Sequence, residues 1–242
     1  MTHAEVLMRK MTRREFRERM QSGELKGCII PTAAIEQHLE HLAMEHDWRS
    51  VSHVALAVAE QLRPHVVIAE GLMAGISEHH MKHPGTMSLR PGAYLAALSD
   101  LIDSVARAGF KHILVLNGHG GNIAPCRGIW DQFVRLNQVN LQFMSYWDVL
   151  TAQDARELLK SGDRLPDDLP GHAQEFETSF ALAVFPENVR TQMWTDQPDP
   201  KPALATAEQG RAFINRIVSR VAAHLREMIE GKRVVPIPPF HP

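Results

Sequence analysis

The sequence predicts an α/β fold, a single domain with a mostly parallel central sheet flanked by helices. Three observations point there. Short runs of aliphatics, such as Cys28-Ile29-Ile30 and Ile113-Leu114-Val115-Leu116, alternate with segments whose apolar residues recur at helical spacing. No repeat, low-complexity tract or Gly/Ser-rich linker divides the 242 residues, a length that one α/β domain commonly reaches, so 1–242 reads as one unit. Polar clusters follow closely on three of the aliphatic runs, where parallel sheets gather their ligands.

Taken in order, residues 12–21 are charged, carry Phe16 and Met20 at i, i+4, and read as a short amphipathic helix closed by Gly23. Cys28 to Ile30 reads as a buried strand leading to Pro31. Residues 51–62 present Val54, Val58 and Leu62 amid alanines, a helix that must stop before Pro64. A second strand follows at 66–69 and a helix at 94–108, with Gly109 as its natural stop. The third strand covers 113–116, the next helix 123–136 and a fourth strand 141–144. Residues 162–170 are polar and Pro-rich and read as an exposed loop, followed by a helix over 174–183. A second Pro-rich turn at 196–202 precedes a long amphipathic closing helix over 205–230, and the proline-laden tail from Pro236 is irregular.

Composition narrows the function classes. The chain is 44% hydrophobic and 22% charged, as ordinary globular proteins are, and its net charge of -2 offers no attraction to nucleic acid or an acidic membrane. No apolar run approaches the ~20 residues needed to span a bilayer. The first twenty residues are charged rather than carrying a signal peptide's apolar core, and two cysteines make no disulfide framework, so a cytoplasmic location is expected. Fourteen histidines are an excess, and histidine is the commonest metal ligand.

Four segments carry chemistry. In Glu36-Gln37-His38 an extended chain points a carboxylate and an imidazole the same way. Asp47, returning from a short loop, could bridge two cations, one held by Glu36 and the other by His38; the same residues also read as solvated loop charges. In Asn117-Gly118-His119-Gly120-Gly121-Asn122 a strand runs into glycines around one His, permitting close approach of a ligand, although a tight turn with a capping Asn also fits. In the segment from Gly171 to Ser179, His172 and Glu175 lie at i, i+3 if a helix begins there, and Glu177 could turn inward; acids favoured by a helix N-terminus are the plainer reading. The fourth segment is Ser77-Glu78-His79-His80 through His83-Pro84-Gly85-Thr86, where His80 or His83 could be surface residues.

In this order the four segments resemble the creatininase (creatinine amidohydrolase) family. The matches are Glu36-Gln37-His38, His41-Leu42, Asp47, Glu78-His79, Pro84-Gly85-Thr86, Asn117 to Asn122, and His172-Ala173 with Glu177-Thr178-Ser179, spanning about residues 25–185. The resemblance implies two divalent ions (Zn, Mn or Fe), hydrolysis of amide C–N bonds, a small-molecule substrate and homo-oligomers, often hexamers. Carried over by position, Glu36, Asp47 and His119 would bind one ion, and His38 with the bridging Asp47 the other. Creatininase has a glutamate where this chain has Gly121, which makes Glu177 the candidate for the last carboxylate. His172 or Glu175 would deliver a proton to the departing nitrogen, and His79, Gly120 and Gly121 would meet the substrate. The chain also departs from the family's pattern, with Leu39 in place of Gly, Ala43 in place of Pro, Glu45-His46 before Asp47, and Gln174 in place of Gly. These departures adjoin the expected site and argue against assuming that the substrate is creatinine; hydrolysis of a cyclic amide or formamide-like C–N bond is expected. A peptide or phosphoester hydrolase, and a non-catalytic metal or ligand sensor, are the competing readings.

Overall fold

A computed structural model describes residues 4–161 and 169–240. Its strands are β1 (Gly27–Thr32), β2 (Val66–Ile68), β3 (His112–Asn117) and β4 (Asn140–Ser145), all parallel, in the order β2-β1-β3-β4. Among the described residues seven α-helices flank them: α1 (Arg13–Gln21), α2 (His46–Gln61), α3 (Pro91–Arg107), α4 (Ile123–Asn137), α5 (Ala152–Leu158), α6 (Glu175–Val184) and α7 (Ala207–Ile229). None is long and apolar enough to cross a membrane.

The strand sequences are almost continuously apolar because both faces are covered. Ile29, Leu114 and Leu116 pack on one side with Val54 and Val58 of α2, Phe176 of α6 and Phe213 of α7. Their neighbours Cys28, Ile30, Ile113 and Val115 point the other way, onto Leu98 and Ile102 of α3 and Phe133 of α4. Period-two alternation of the strands thus sorts one apolar run into two cores. Local signals set the helix ends. Thr12 and Glu15 form a reciprocal capping box on α1, Pro91 occupies the first turn of α3, and Thr206 caps α7.

The register fixes the site. Thr32 at the end of β1 lies opposite Asn117 at the end of β3, so the loops carrying Glu36 and His119 leave the same edge. Between these strands the chain order reverses, with β2 outside β1 and β4 outside β3, the crevice where open α/β sheets bind ligands.

Two elements differ from the sequence reading. The helix expected at Val51 begins at His46, so Asp47 stands in the first turn of α2 rather than on a loop. The polar stretch before Val51 hid that turn, yet an acid beside the free N–H groups of a helix start is favoured. Helix α5 is short, and no periodic pattern announced it; Thr151 and Asp154 close it with a capping box. Of the Pro-rich loop expected at 162–170, residues 162–168 lie outside the described residues.

Candidate metal centre

Asp47 is the hinge of the site. Its Oδ1 lies 3.0 Å from His38 Nε2 and its Oδ2 lies 2.9 Å from His119 Nδ1, so one carboxylate serves two imidazoles. A second carboxylate stands beside each ring. Glu36 Oε1 is 3.4 Å from His119 Nδ1, and Glu177 Oε2 is 3.8 Å from His38 Nε2. Two donor sets result: Glu36, Asp47 and His119 on one side, His38, Asp47 and Glu177 on the other.

The remote nitrogen of each imidazole is fixed from behind. His38 Nδ1–H donates to the Glu36 carbonyl at 3.1 Å, and His119 Nε2–H donates to the Ile76 carbonyl at 2.9 Å. A carbonyl can only accept, so the nitrogens that lose their protons on metal binding are His38 Nε2 and His119 Nδ1, which then turn lone pairs toward the carboxylates as a metal-ligating histidine requires.

The glycines and asparagines around His119 explain its placement. A Cβ on Gly118 would press on the start of α2, and one on Gly121 would strike the Ile76 carbonyl, whereas Gly120 faces open space. Asn122 does not cap α4 as the sequence suggested. Its side chain instead accepts from Ile76 N–H and donates to the Ala33 carbonyl, pinning the segments after β1 and β2 to the His119 loop. Asn117 accepts from His119 N–H and donates to its carbonyl.

The electrostatics call for cations. Glu36, Asp47 and Glu177 are buried, and among the described residues no Lys or Arg pairs with any of them. Burial opposes ionisation of Asp47, yet His38 and His119 outweigh it and hold its carboxyl well below the usual range. Burial dominates at Glu177 and, with Asp47 nearby, pushes its pKa up to about 8 against the pull of His38. Burial disfavours charge on His38 and His119, but the carboxylates prevail and raise them to about 9 and about 10. Without metal, three buried acids and two imidazoles must hold protons between them to balance their charge, protons that a divalent ion would displace, and a mixed carboxylate and imidazole set without thiolate suits Zn²⁺, Mn²⁺ or Fe²⁺. The residues present therefore fit divalent metal.

A cavity of about 330 Å³ opens over this centre, with Gly120, Gly121, His79, His80, Trp147 and His172 among its lining residues. His172 precedes α6 and turns its Nδ1 to within 3.6 Å of Glu36 Oε1. His79 is exposed and lies parallel to the His119 ring with centroids 5.7 Å apart. Sequence reasoning left His80 open as a surface residue; the structure stacks it on His172 at 4.4 Å and brings its Nε2 to 3.7 Å from Glu36 Oε1. No residue beside His80 announces this, because its partners Gln37 and His172 are remote in the sequence.

Glu175 is a correction. Its carboxylate accepts from the backbone N–H groups of Lys160 and Ser161 and from the Gln209 amide, and it does not line the cavity. Because α6 begins at Glu175, His172 is not on the helix, and the i, i+3 pairing expected of the two does not form.

Two residues with positive φ flank the site, Leu39 at 54° and Ala173 at 53°. Leu39 stands where the family has Gly, which takes this conformation without the roughly 1–2 kcal/mol penalty of a side chain. Leu39 N–H donates to Gln37 Oε1, and buried His41 Nε2–H donates to Thr178 Oγ1, tying this loop to α6.

Comparison with known proteins finds relatives in sequence and in fold. A 3-dehydro-scyllo-inosose hydrolase of Thermotoga maritima is 30% identical over 198 residues, 81% of this chain and 61% of that protein. A creatinine amidohydrolase of Pseudomonas putida is 28% identical over 206 residues, 80% of this chain and 77% of its own. A mycofactocin precursor peptide peptidase of Mycobacterium tuberculosis is 29% identical over 179 residues, 69% of this chain and 62% of its own. This chain thus spans less than two thirds of the length of the first and third of these relatives. A crystal structure of creatinine amidohydrolase (creatininase) superposes with a TM-score of 0.82 at 25% identity, covering 94% of this chain and 99% of that one. A structure described as "Creatininase Mn" gives 0.80 at 25% identity, covering 92% and 98%. The family model described as "Creatininase: Creatinine amidohydrolase" matches residues 9–204, and the chain belongs to the creatininase family.

Proposed function

We propose that the protein is a hydrolase using two divalent metal ions to cleave a C–N bond in a small cyclic amide or formamide-type compound. One observation carries this reading: Asp47 divides five buried donors into two sets, each with one imidazole and two carboxylates. Glu36 and His119 would hold one ion, His38 and Glu177 the other, and Asp47 both. When bound, such a pair lowers the pKa of water towards ~7 and polarises a carbonyl. The residues of the chain do the rest. Gly120 and Gly121 leave room beside the centre, and His79, His80 and His172 wall the cavity where the scissile group would sit.

The test is metal analysis of purified protein together with activity profiling against creatinine, lactams and formamidopyrimidine-type compounds. About two ions per chain, and hydrolysis lost on chelation and restored by Mn²⁺ or Zn²⁺, are the expected results. An undiminished rate in chelated protein would refute the reading.

A peptide substrate is the second reading. A cavity of about 510 Å³, lined by Ile123, Arg127, Asp148 and Leu169, shares Trp147 with the metal cavity and could take a longer chain. The peptidase named among the relatives points the same way. Cleavage of short peptides with no turnover of cyclic amides would favour it. Self-association is expected as well, and Met44, Met73, Met81 and Met87, exposed on loops near the site, supply apolar surface for it; mass measurement in solution tests this.

A further inference from the structure

Beside the exposed His79, four imidazoles crowd this centre, and two of them differ from the ligating pair in what stands behind them. Behind His38 and His119 is a carbonyl. Behind His80 and His172 is the side-chain amide of Gln37, whose Nε2 lies 2.9 Å from His80 Nδ1 and 2.8 Å from His172 Nε2.

The orientation of that amide is settled by the backbone. Leu39 N–H points at Gln37 Oε1 from 2.9 Å, and an N–H can only donate, so this atom must be the oxygen. The other end of the amide is therefore NH₂, which also only donates. It directs one hydrogen at each imidazole, so His80 Nδ1 and His172 Nε2 must both carry lone pairs. An imidazolium has no lone pair, so neither ring is charged in this arrangement. The proton of each neutral ring sits on its opposite nitrogen, His80 Nε2 and His172 Nδ1. Both of those atoms face Glu36 Oε1, at 3.7 and 3.6 Å. The rings stack with planes 23° apart, a contact that suits two neutral rings and would be repulsive between two cations.

We infer that Gln37 is a positioning residue that sorts the imidazoles of the site by tautomer, leaving His38 and His119 as metal ligands and making His80 and His172 a pair of neutral N–H donors. The inference rests on the metal reading only for the identity of the ligating pair. It has two consequences. His80, Glu36 and His172 are close enough to hold an ion between them, but the atoms facing Glu36 carry protons, so Gln37 keeps metal out of that corner. His172, expected as a proton donor, acts instead by hydrogen bonding, because giving up its Nδ1 proton would leave an imidazolate while Gln37 covers Nε2. Two converging N–H groups beside a metal centre suit an oxygen acquiring negative charge, the use to which neutral histidine is put elsewhere.

The experiment is a long-range ¹H–¹⁵N spectrum of the zinc-loaded protein labelled in its histidine rings, assigned with His80→Gln and His172→Gln. His80 Nδ1 and His172 Nε2 should resonate as lone-pair nitrogens, and their partners as protonated ones. A protonated nitrogen on the Gln37 side of either ring, or zinc bound to either, overturns the inference. The same spectrum reads His38 and His119. If these carry no zinc while the His80 and His172 pattern holds, the metal reading falls and the role of Gln37 stands. Gln37→Glu replaces a donor by an acceptor of the same shape. In that variant both protons should move to the residue 37 side, and zinc bound per chain should rise by one ion. Folded Gln37→Glu with the parental tautomers overturns the inference, and if the variant does not fold, the parental spectrum decides.

Discussion

Glu175 and Glu177, two residues apart in the first turn of α6, use their carboxylates in different places. Glu175 binds the backbone N–H groups of Lys160 and Ser161, whereas Glu177 faces His38 with its Oε2 3.8 Å from the ring. Substituting each by Gln separates the roles. Glu177→Gln should lose about one of the two proposed ions, with the other retained. Glu175→Gln should keep the full metal content but lower the unfolding free energy by about 1–3 kcal/mol, because a buried N–H loses its acceptor. Metal analysis and thermal melts of the two variants check this, and equal metal loss in both would contradict the assignment.

Metal uptake should release protons. In the metal-free chain His38 and His119, raised to about 9 and about 10, hold protons at neutral pH, as does Glu177 at about 8. Ligation needs their lone pairs, so apparent affinity strengthens as pH rises from 6 to 9. Calorimetric titration with Zn²⁺ in two buffers of different ionisation heat should give different apparent enthalpies. Metal should also raise the melting temperature, with a gain of ~2.7 kcal/mol at a free concentration of 100 times Kd.

Gly120 and Gly121 should respond oppositely to alanine. A Cβ at 121 meets the Ile76 carbonyl that orients His119, while one at 120 meets nothing within 4 Å. Gly121→Ala should destabilise by about 1–3 kcal/mol and weaken metal binding. Gly120→Ala should change stability by no more than ~0.5 kcal/mol and affect chiefly KM, because it narrows the cavity. Denaturant melts with metal titration distinguish them.

Asp154 joins α5 to α7 through Arg216 and Arg220, at 2.5–2.9 Å, and caps α5 through Thr151. Burial raises its pKa, but these donors prevail and hold its carboxyl well below the usual range. A depressed carboxylate contributes stability that is present above its unfolded pKa near 3.8 and fades as pH falls below it. Asp154→Asn should cost on the order of 2–4 kcal/mol at neutral pH. The gap between parent and variant should shrink in acid melts below about pH 4; a gap independent of pH would show the ion pairs to be idle.

Much of the fold was legible because aliphatic runs and helical spacing are local signals. Leu114 and Val115 announce a strand whatever surrounds them. The proposed ligands were legible for a different reason, since Glu36, His38 and His119 sit in short motifs placed just after strands. What could not be read depends on direction. Glu175 and Glu177 are indistinguishable as letters, and only the start of α6 at Glu175 decides which one reaches His38. His80 could pass for a surface residue because its partners, Gln37 and His172, lie 43 and 92 residues away. Asp47 looked like a loop residue because the first turn of α2 has no apolar period.

The contact between Asp47 and His119 joins residues 72 positions apart, and the approach of His38 and Glu177 joins two proposed ligands about twice as far apart in the chain. Ions held at Asp47 would therefore act as removable cross-links across most of the chain. Cross-links that close long loops take entropy chiefly from the unfolded ensemble, by an amount that grows only slowly with loop length. The proposed ions would thus serve the chain during refolding as well as catalysis. Denatured protein returned to buffer with Zn²⁺ would close its largest loops through Asp47, whereas without metal the same acids would repel one another across the unformed edge of the sheet.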